Sequence, residues 1–166
     1  MHGKLAQVKG AGKVYLADIS RERLKIAEKF GFDEIIDASK IDTVSRVMQL
    51  TDDFGADVVI VACSVNKAQE DSVKMAAKRG RISFFGGLPK DKPIIQLDSN
   101  LLHYREISVF GAFASYANQY YQAMRLISSG KFKARDFITH RFSLDTIVDG
   151  IKTAQSAVGL KAVVIP

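Results

Sequence analysis

Lys13 to Ile19 reads KVYLADI, alternating and then continuous apolar residues that predict a short buried strand with Asp18 at its carboxyl end. Arg21 to Phe30 follows as a helix with Leu24, Ala27 and Phe30 on one face. A strand that delivers a carboxylate to the mouth of a parallel sheet, just ahead of a helix, is one way a dinucleotide fold holds an adenosine ribose. An acidic residue at a helix start is also favoured by the helix's partial positive end, and spacing alone supports the two readings equally. A glycine-rich phosphate loop should lie upstream, behind a first strand, yet few residues precede Lys13. The chain is therefore expected to be part of a larger enzyme.

Composition narrows the classes. With 47% hydrophobic residues in 166, one sizeable core is expected. No apolar run reaches the ~18 residues of a membrane span, and MHGKLAQVKG lacks the apolar region of a secretory signal. Cys63 stands alone, so no intrachain disulfide forms, and a cytoplasmic location is expected. The formal charge of +6 favours anionic partners, but basic residues alternate with acidic ones, as in Arg21-Glu22-Arg23, and no aromatic-interleaved basic block suggests nucleic-acid binding.

Strand and helix alternate along the chain. His2 to Lys9 reads as a short helix ending near Gly10, and Gly10-Ala11-Gly12 reads as a helix-to-strand turn rather than a phosphate loop, because a strand follows it. Asp33 to Ile36 is a second strand and Thr43 to Thr51 a helix. Val58 to Ala62 has the β-branched continuity of a parallel strand covered on both faces. A helix carrying Ala68, Val73, Ala76 and Ala77 is expected to stop at Gly80, and Arg81 to Phe85 to form a strand ended by Gly86-Gly87. Pro89 and Pro93 make a regular helix unexpected over Leu88–His103, read as an extended loop anchored by Ile95 and Leu97. Ile107 to Phe110 is a strand, with Gly111 as a hinge. Beyond it lie a helix with Tyr120, Ala123, Met124 and Ile127 stopping at Gly130, an extended Phe137 to Phe142, a helix capped by Ser143, and a final strand Lys161 to Ile165. The pattern predicts an α/β fold, an incomplete doubly wound parallel sheet with a returning helix–strand tail.

Among residues that carry chemistry, Arg23 lies within a turn of Asp18, where it can cover an adenine or pair with the carboxylate; taken alone it reads as a surface charge. Ala62, Cys63 and Ser64 end one buried strand with small side chains that let a ligand lie flat, and Gly86-Gly87 end the next either with room for backbone close to a ligand or as a simple tight turn. Nothing near Cys63 activates it as a nucleophile. The scattered His2, His103 and His140 lack metal-ligand spacing, so neither catalytic nor metal residues are assigned.

Five phrases taken together, VYLADISRERLKIAEKFGFDEIID, GADVVIVACSV, AAKRGRISFFGGLP, LLHYREISVFGAF and ITHRFSLDTIVDGI…GLKAVVIP, resemble in order the medium-chain, zinc-type alcohol and polyol dehydrogenases, closest to sorbitol- and threonine-dehydrogenase-like members. The resemblance covers essentially the whole chain and implies a truncated Rossmann-like fold. Residues 1–115 would be a partial dinucleotide-binding domain and 116–166 a segment returning to an absent catalytic domain. It matches Asp18 and the adjacent Ile19 to the ribose-binding acid and its neighbour, Arg23 to the basic residue beside the adenosine, and Ala62 to Ser64 to the segment under the riboses. Phe85-Gly86-Gly87 and Phe110 to Phe113 match nicotinamide-side backbone, and Lys161 a basic residue that reaches the pyrophosphate. Ser64 departs from a position where many members have glycine. The parent enzyme would move hydride from a secondary alcohol or polyol to NAD, zinc polarising the alkoxide. The glycine-rich loop should precede His2. The zinc ligands would belong to the catalytic domain, so this portion is expected to be inactive alone and to hold NAD weakly or not at all. A homodimer paired through the Ile107–Phe110 edge is also expected. A non-catalytic nucleotide-sensing or structural module and a methyltransferase-like fold are the competing readings.

Overall fold

The computed structural model describes residues 1–156 and 158–166. Every strand pairing in it is parallel, with helices between successive strands, as the alternation of sequence patterns predicts. The strands are hydrogen-bonded in separate sheets: 15–18 with 34–37; 56–61, 76–84 and 108–111 in that order; and 138–142 with 161–164. The chain folds as two compact units rather than around the single core expected from composition.

One unit combines Met1–Ile41 with Ser115–Pro166. Its first part runs α1 (His2–Val8), β1 (Tyr15–Asp18), α2 (Arg21–Ala27) and β2 (Glu34–Asp37), with a 3₁₀ turn over Glu28–Phe30. Ser20 starts α2 by accepting the Arg23 amide on its side chain, and Gly31, at φ +62°, stops the turn that follows. The second part runs α6 (Ala117–Ser128), β6 (Ile138–Phe142), α7 (Ile147–Gln155) and β7 (Lys161–Val164). Phe30 stacks on Phe137 with ring centroids 4.6 Å apart, and Phe132 stacks on the same ring at 5.2 Å. Phe30 and Phe137 are buried, with Leu24, Ala27 and Ile36. The apolar face of α6 is exposed: Tyr120, Tyr121, Met124 and Ile127 all face solvent.

The other unit, Asp42–Ala114, contains α3 (Thr43–Leu50), β3 (Ala56–Val61), α4 (Asn66–Met75), β4 (Ala76–Phe84), α5 (Ser99–Arg105) and β5 (Ser108–Gly111). Val61, Val73, Ala76 and Ile82 form its core, with Leu97, Leu101, Leu102 and Ile107 packed around them.

Several sequence expectations change here. The helix ends at Met75, not Gly80: Ala76 is already extended (ψ 140°), and residues 76–80 join β4 through a bulge in which Arg79 takes φ +60°. Residues 99–105 are helical because Asp98, beyond both prolines, accepts the amides of Asn100 at 2.9 Å and Leu101 at 3.3 Å. Gly111 is the last residue of β5 rather than a hinge outside it. β3 is covered on one face only: Val59 and Val61 face the core, while Val58 and Ile60, at 48% and 40% exposure, share with Phe110 a face open to solvent.

The bulge rests on Gly55, which has φ +84° and would carry a Cβ 2.8 Å from the Ala77 nitrogen and 2.9 Å from the Met75 oxygen. Gly55→Ala is expected to destabilise the chain by roughly 1–3 kcal/mol, read by urea unfolding. Gly12→Ala, where a Cβ meets nothing within 4 Å, is expected to be near neutral.

Candidate functional site

β1 and β2 run side by side in parallel, and their register pairs Asp18 with Asp37 at the carboxyl ends. Two carboxylates therefore arrive at one edge, in different environments. Asp37 is fully engaged: Lys40 Nζ lies 2.8 Å from it, and the Ser39 amide and hydroxyl both donate to Oδ1. The Lys40 and Ser39 hydrogen bonds hold its carboxyl at about 2, below the ordinary 3.8. Asp18 is engaged only in part. Its Oδ1 accepts the Ser20 amide at 2.9 Å, its Oδ2 lies 4.0 Å from Arg23 Nη1, and its side chain stays 28% exposed. Asp18 thus presents a carboxylate oriented by one backbone donor with acceptor capacity to spare, the donor set that fits a ribose diol.

Arg23 does not simply turn outward. Its Nε donates to the Gly159 carbonyl at 3.2 Å, so the guanidinium spans Asp18 and the turn that leads into β7. Gly159 adopts φ +69°, and a Cβ there would collide with Thr139 Oγ1 and stand 2.7 Å from His140 Cε1. Leu160 donates its amide to the same Thr139 hydroxyl at 3.0 Å, which fixes the turn. Ile19, one residue past the strand, is exposed. Lys161, exposed at the start of β7, lies close enough to the terminal amine to help lower its pKa, second to burial.

In the other unit the ends of β3 and β4 meet. The amides of Phe85 and Gly86 both donate to the Val61 carbonyl, at 3.0 and 2.9 Å. A Cβ on Gly86 would stand 2.5–2.9 Å from backbone atoms of Cys63, so the two strand-end turns touch main chain to main chain. Ala62, Cys63 and Ser64 are exposed beside Phe85, Gly86 and Gly87, and a Cβ on Gly87 would meet nothing within 4 Å. Phe113, in the exposed stretch that begins at Ser108, has no surface buried.

Two positioning residues escape a reading of the sequence. Gln69 is buried and donates Nε2 to the Gly86 carbonyl at 3.0 Å, locking the second turn from beneath. Ser20 supplies the amide that orients Asp18. The first left a signal: Gln69 and Ser72 interrupt the i, i+3, i+4 stripe that continues through Val73. Among the described residues, no group of three or more His, Cys, Asp or Glu is placed to hold a metal ion, and no helix is long and apolar enough to cross a membrane.

The profile of a family described as zinc-binding dehydrogenases matches residues 1–129. An L-threonine 3-dehydrogenase of Pyrococcus furiosus is 30% identical over 140 residues, which cover 83% of this chain and 39% of that protein. A sorbitol dehydrogenase of Halalkalibacterium halodurans is 27% identical over 157 residues, 93% of this chain and 45% of its own length. A crystal structure from Sinorhizobium meliloti 1021, described as a zinc-binding dehydrogenase bound to NADP, superposes with a TM-score of 0.87 at 27% identity, covering 99% of this chain and 48% of the other. The chain spans less than half the length of each of these relatives.

Because Asp37 is more acidic folded than unfolded, its interactions stabilise the fold above about pH 3.8, and that contribution is lost as the pH falls towards 2. Side-chain carbon NMR is expected to show an Asp37 midpoint near 2. Lys40→Ala is expected to raise it towards 3.8 and to shrink the loss of stability across that window.

Proposed function

The chain belongs to the family of zinc-binding dehydrogenases, and we propose that it supplies the NAD-binding portion of an oxidoreductase that moves hydride between a secondary alcohol or polyol and NAD. The observation that carries this reading is the Asp18 carboxylate at the end of β1, aligned by the Ser20 amide and left with free acceptor capacity.

Each residue takes a role from its place. Asp18 accepts the two hydroxyls of the adenosine ribose, and its charge repels a 2′-phosphate. Arg23, held by the Gly159 carbonyl, presents the plane of its guanidinium beside Asp18 to the adenine side, with Ile19 adjoining. Ala62, Cys63 and Ser64 form a low floor for the riboses. Phe85, Gly86 and Gly87, with Phe113, offer backbone to the nicotinamide, and Lys161 reaches the pyrophosphate. Gln69 keeps the second turn from relaxing by occupying the Gly86 carbonyl. When bound, NAD supplies the nicotinamide carbon that accepts hydride. Zinc does not fit the described residues, which offer no converging ligand set, so none of these roles runs through a metal. We assign residues 1–115 to dinucleotide binding and 116–166 to contact with the remainder of the enzyme, in a cytoplasmic setting. That division is supported by the exposed apolar face of α6, and the chemistry at the alcohol is assigned to that remainder.

A homodimer belongs to the same proposal. β5 lies at the edge of its sheet, paired with β4 alone, and all its residues are exposed. An uncovered edge is a template for a second strand, and two-fold closure is the usual outcome.

Calorimetric titration is expected to show NAD binding more tightly than NADP. Asp18→Ala removes hydrogen bonds to a charged group and is expected to weaken NAD by roughly 10–100-fold while narrowing that preference. Equal NAD affinity in both proteins would take Asp18 out of the site. Sedimentation equilibrium is expected to give a dimer at tens of micromolar. Ser108→Pro and Val109→Pro together sample both sides of β5, and one of them is expected to dissociate the dimer by deleting an edge donor. A monomeric parent chain, or two folded variants that remain fully dimeric, would exclude pairing through β5.

A further inference from the structure

A cleft of about 320 Å³ lies between the start of the chain and the turn after α6, lined by Lys4, Lys29, Lys131 and Lys133 with Asp136 as the single acid. Its formal charge of +3 is half of the +6 carried by the whole chain, gathered into one depression. Among the described residues no ion pair engages any of the four lysines. Like charges lining one depression repel one another, and a bound anion relieves that repulsion.

The lysines are placed rather than scattered. Lys29 Nζ donates to the Asp136 carbonyl at 2.7 Å and lies 5.1 Å over the Phe30 ring, so its ammonium is fixed with donors remaining. Lys4 Nζ donates to Gln7 Oε1 at 3.1 Å, and Gln7 is itself tied to the Gly31 carbonyl at 2.7 Å. Gly130, at φ +72°, turns the chain out of α6, and the Phe132 ring then stacks on Phe137. With Phe132 committed to the ring stack, its neighbours Lys131 and Lys133 are directed to the cleft. The floor is the buried pair Phe30 and Phe137, which gives these charges a low-dielectric backing.

We propose that this cleft binds the linked phosphates of a small polyphosphate, with inorganic pyrophosphate as the simplest case. Four ammonium groups around one depression match an anion of several charges better than a single carboxylate. Lysine acts as a compact point charge suited to phosphate oxygens, whereas planar bidentate recognition of carboxylates favours arginine. The volume falls at the small end of ligand sites, which run from roughly 300 to 1,000 Å³. Neither Asp18, Arg23 nor Lys161 lines the cleft, so the inference stands apart from the dinucleotide reading.

The test is acylation of lysines on the full chain, read by mass spectrometry with pyrophosphate, with ADP, and with sodium chloride at matched ionic strength. Pyrophosphate is expected to protect Lys29, Lys131 and Lys133 and to leave Lys90 and Lys92 reactive. Equal protection by ADP would show that the phosphates alone are read; stronger protection would identify a nucleotide as their carrier. Calorimetry is expected to show pyrophosphate affinity reduced about tenfold or more in K131Q/K133Q, both exposed positions, and unchanged in D18A. Protection reproduced by sodium chloride, no detectable pyrophosphate binding, or undiminished binding by K131Q/K133Q would each overturn the proposal.

Discussion

The stack of Phe132, Phe137 and Phe30 is the contact on which the discontinuous unit depends. Its two chain segments are separated by the whole of residues 42–114, so local propensity cannot bring them together. Closing so long a loop is entropically unfavourable, and the closure must be offset by contacts made only once it has happened. Two ring stacks contribute on the order of 0.5–1.5 kcal/mol each beyond the area they bury. The Lys29 hydrogen bond to the Asp136 carbonyl and the Arg23 hydrogen bond to the Gly159 carbonyl then fix the register of the two segments.

What Asp18 presents follows from that closure. Its carboxylate is set by a local turn through Ser20, but the direction of Arg23 is set by a carbonyl 136 residues away. The Gly159 turn in turn exists only because a residue without a side chain fits against Thr139 and His140. In the continuous unit the same job is done locally. The Val61 carbonyl gathers the Phe85 and Gly86 amides, and Gln69 holds the Gly86 carbonyl from below.

The fold class was legible because the period of the apolar residues changes cleanly between strand and helix, and a run such as Ile35-Ile36 or Val58–Val61 admits few other readings. Element edges were less so. Ala76 and Ala77 suit a helix and a strand alike, and the tertiary bulge at Gly55 decided for the strand. The Asp98 cap lies beyond Pro89 and Pro93, which forbid a helix only before it. Covering of both faces of β3 was inferred from composition, yet apolar residues alone do not say what packs on them, and Val58 and Ile60 face solvent. The strand-end position of Asp18 was readable from spacing. Its difference from Asp37 was not, because it lies in the hydrogen bonds of Ser39 and Lys40 rather than in residue type.

The nesting of one unit inside the other has a consequence for synthesis on the ribosome. Residues 42–114 form a compact unit from one continuous segment, complete in the growing chain before residues 115–166 are made. The first 41 residues complete their packing later, because the Phe137 ring and the Asp136 and Gly159 carbonyls belong to the last 52. Lys29 precedes Asp136 by 107 residues, which at about 5–20 residues per second leaves the amino-terminal segment waiting on the order of 5–20 s. Throughout that interval Phe30 lacks the Phe137 ring that stacks on it, and nascent-chain chaperones have a defined segment to guard. Closure of the discontinuous unit around α2 thus follows synthesis of the segment inserted within it.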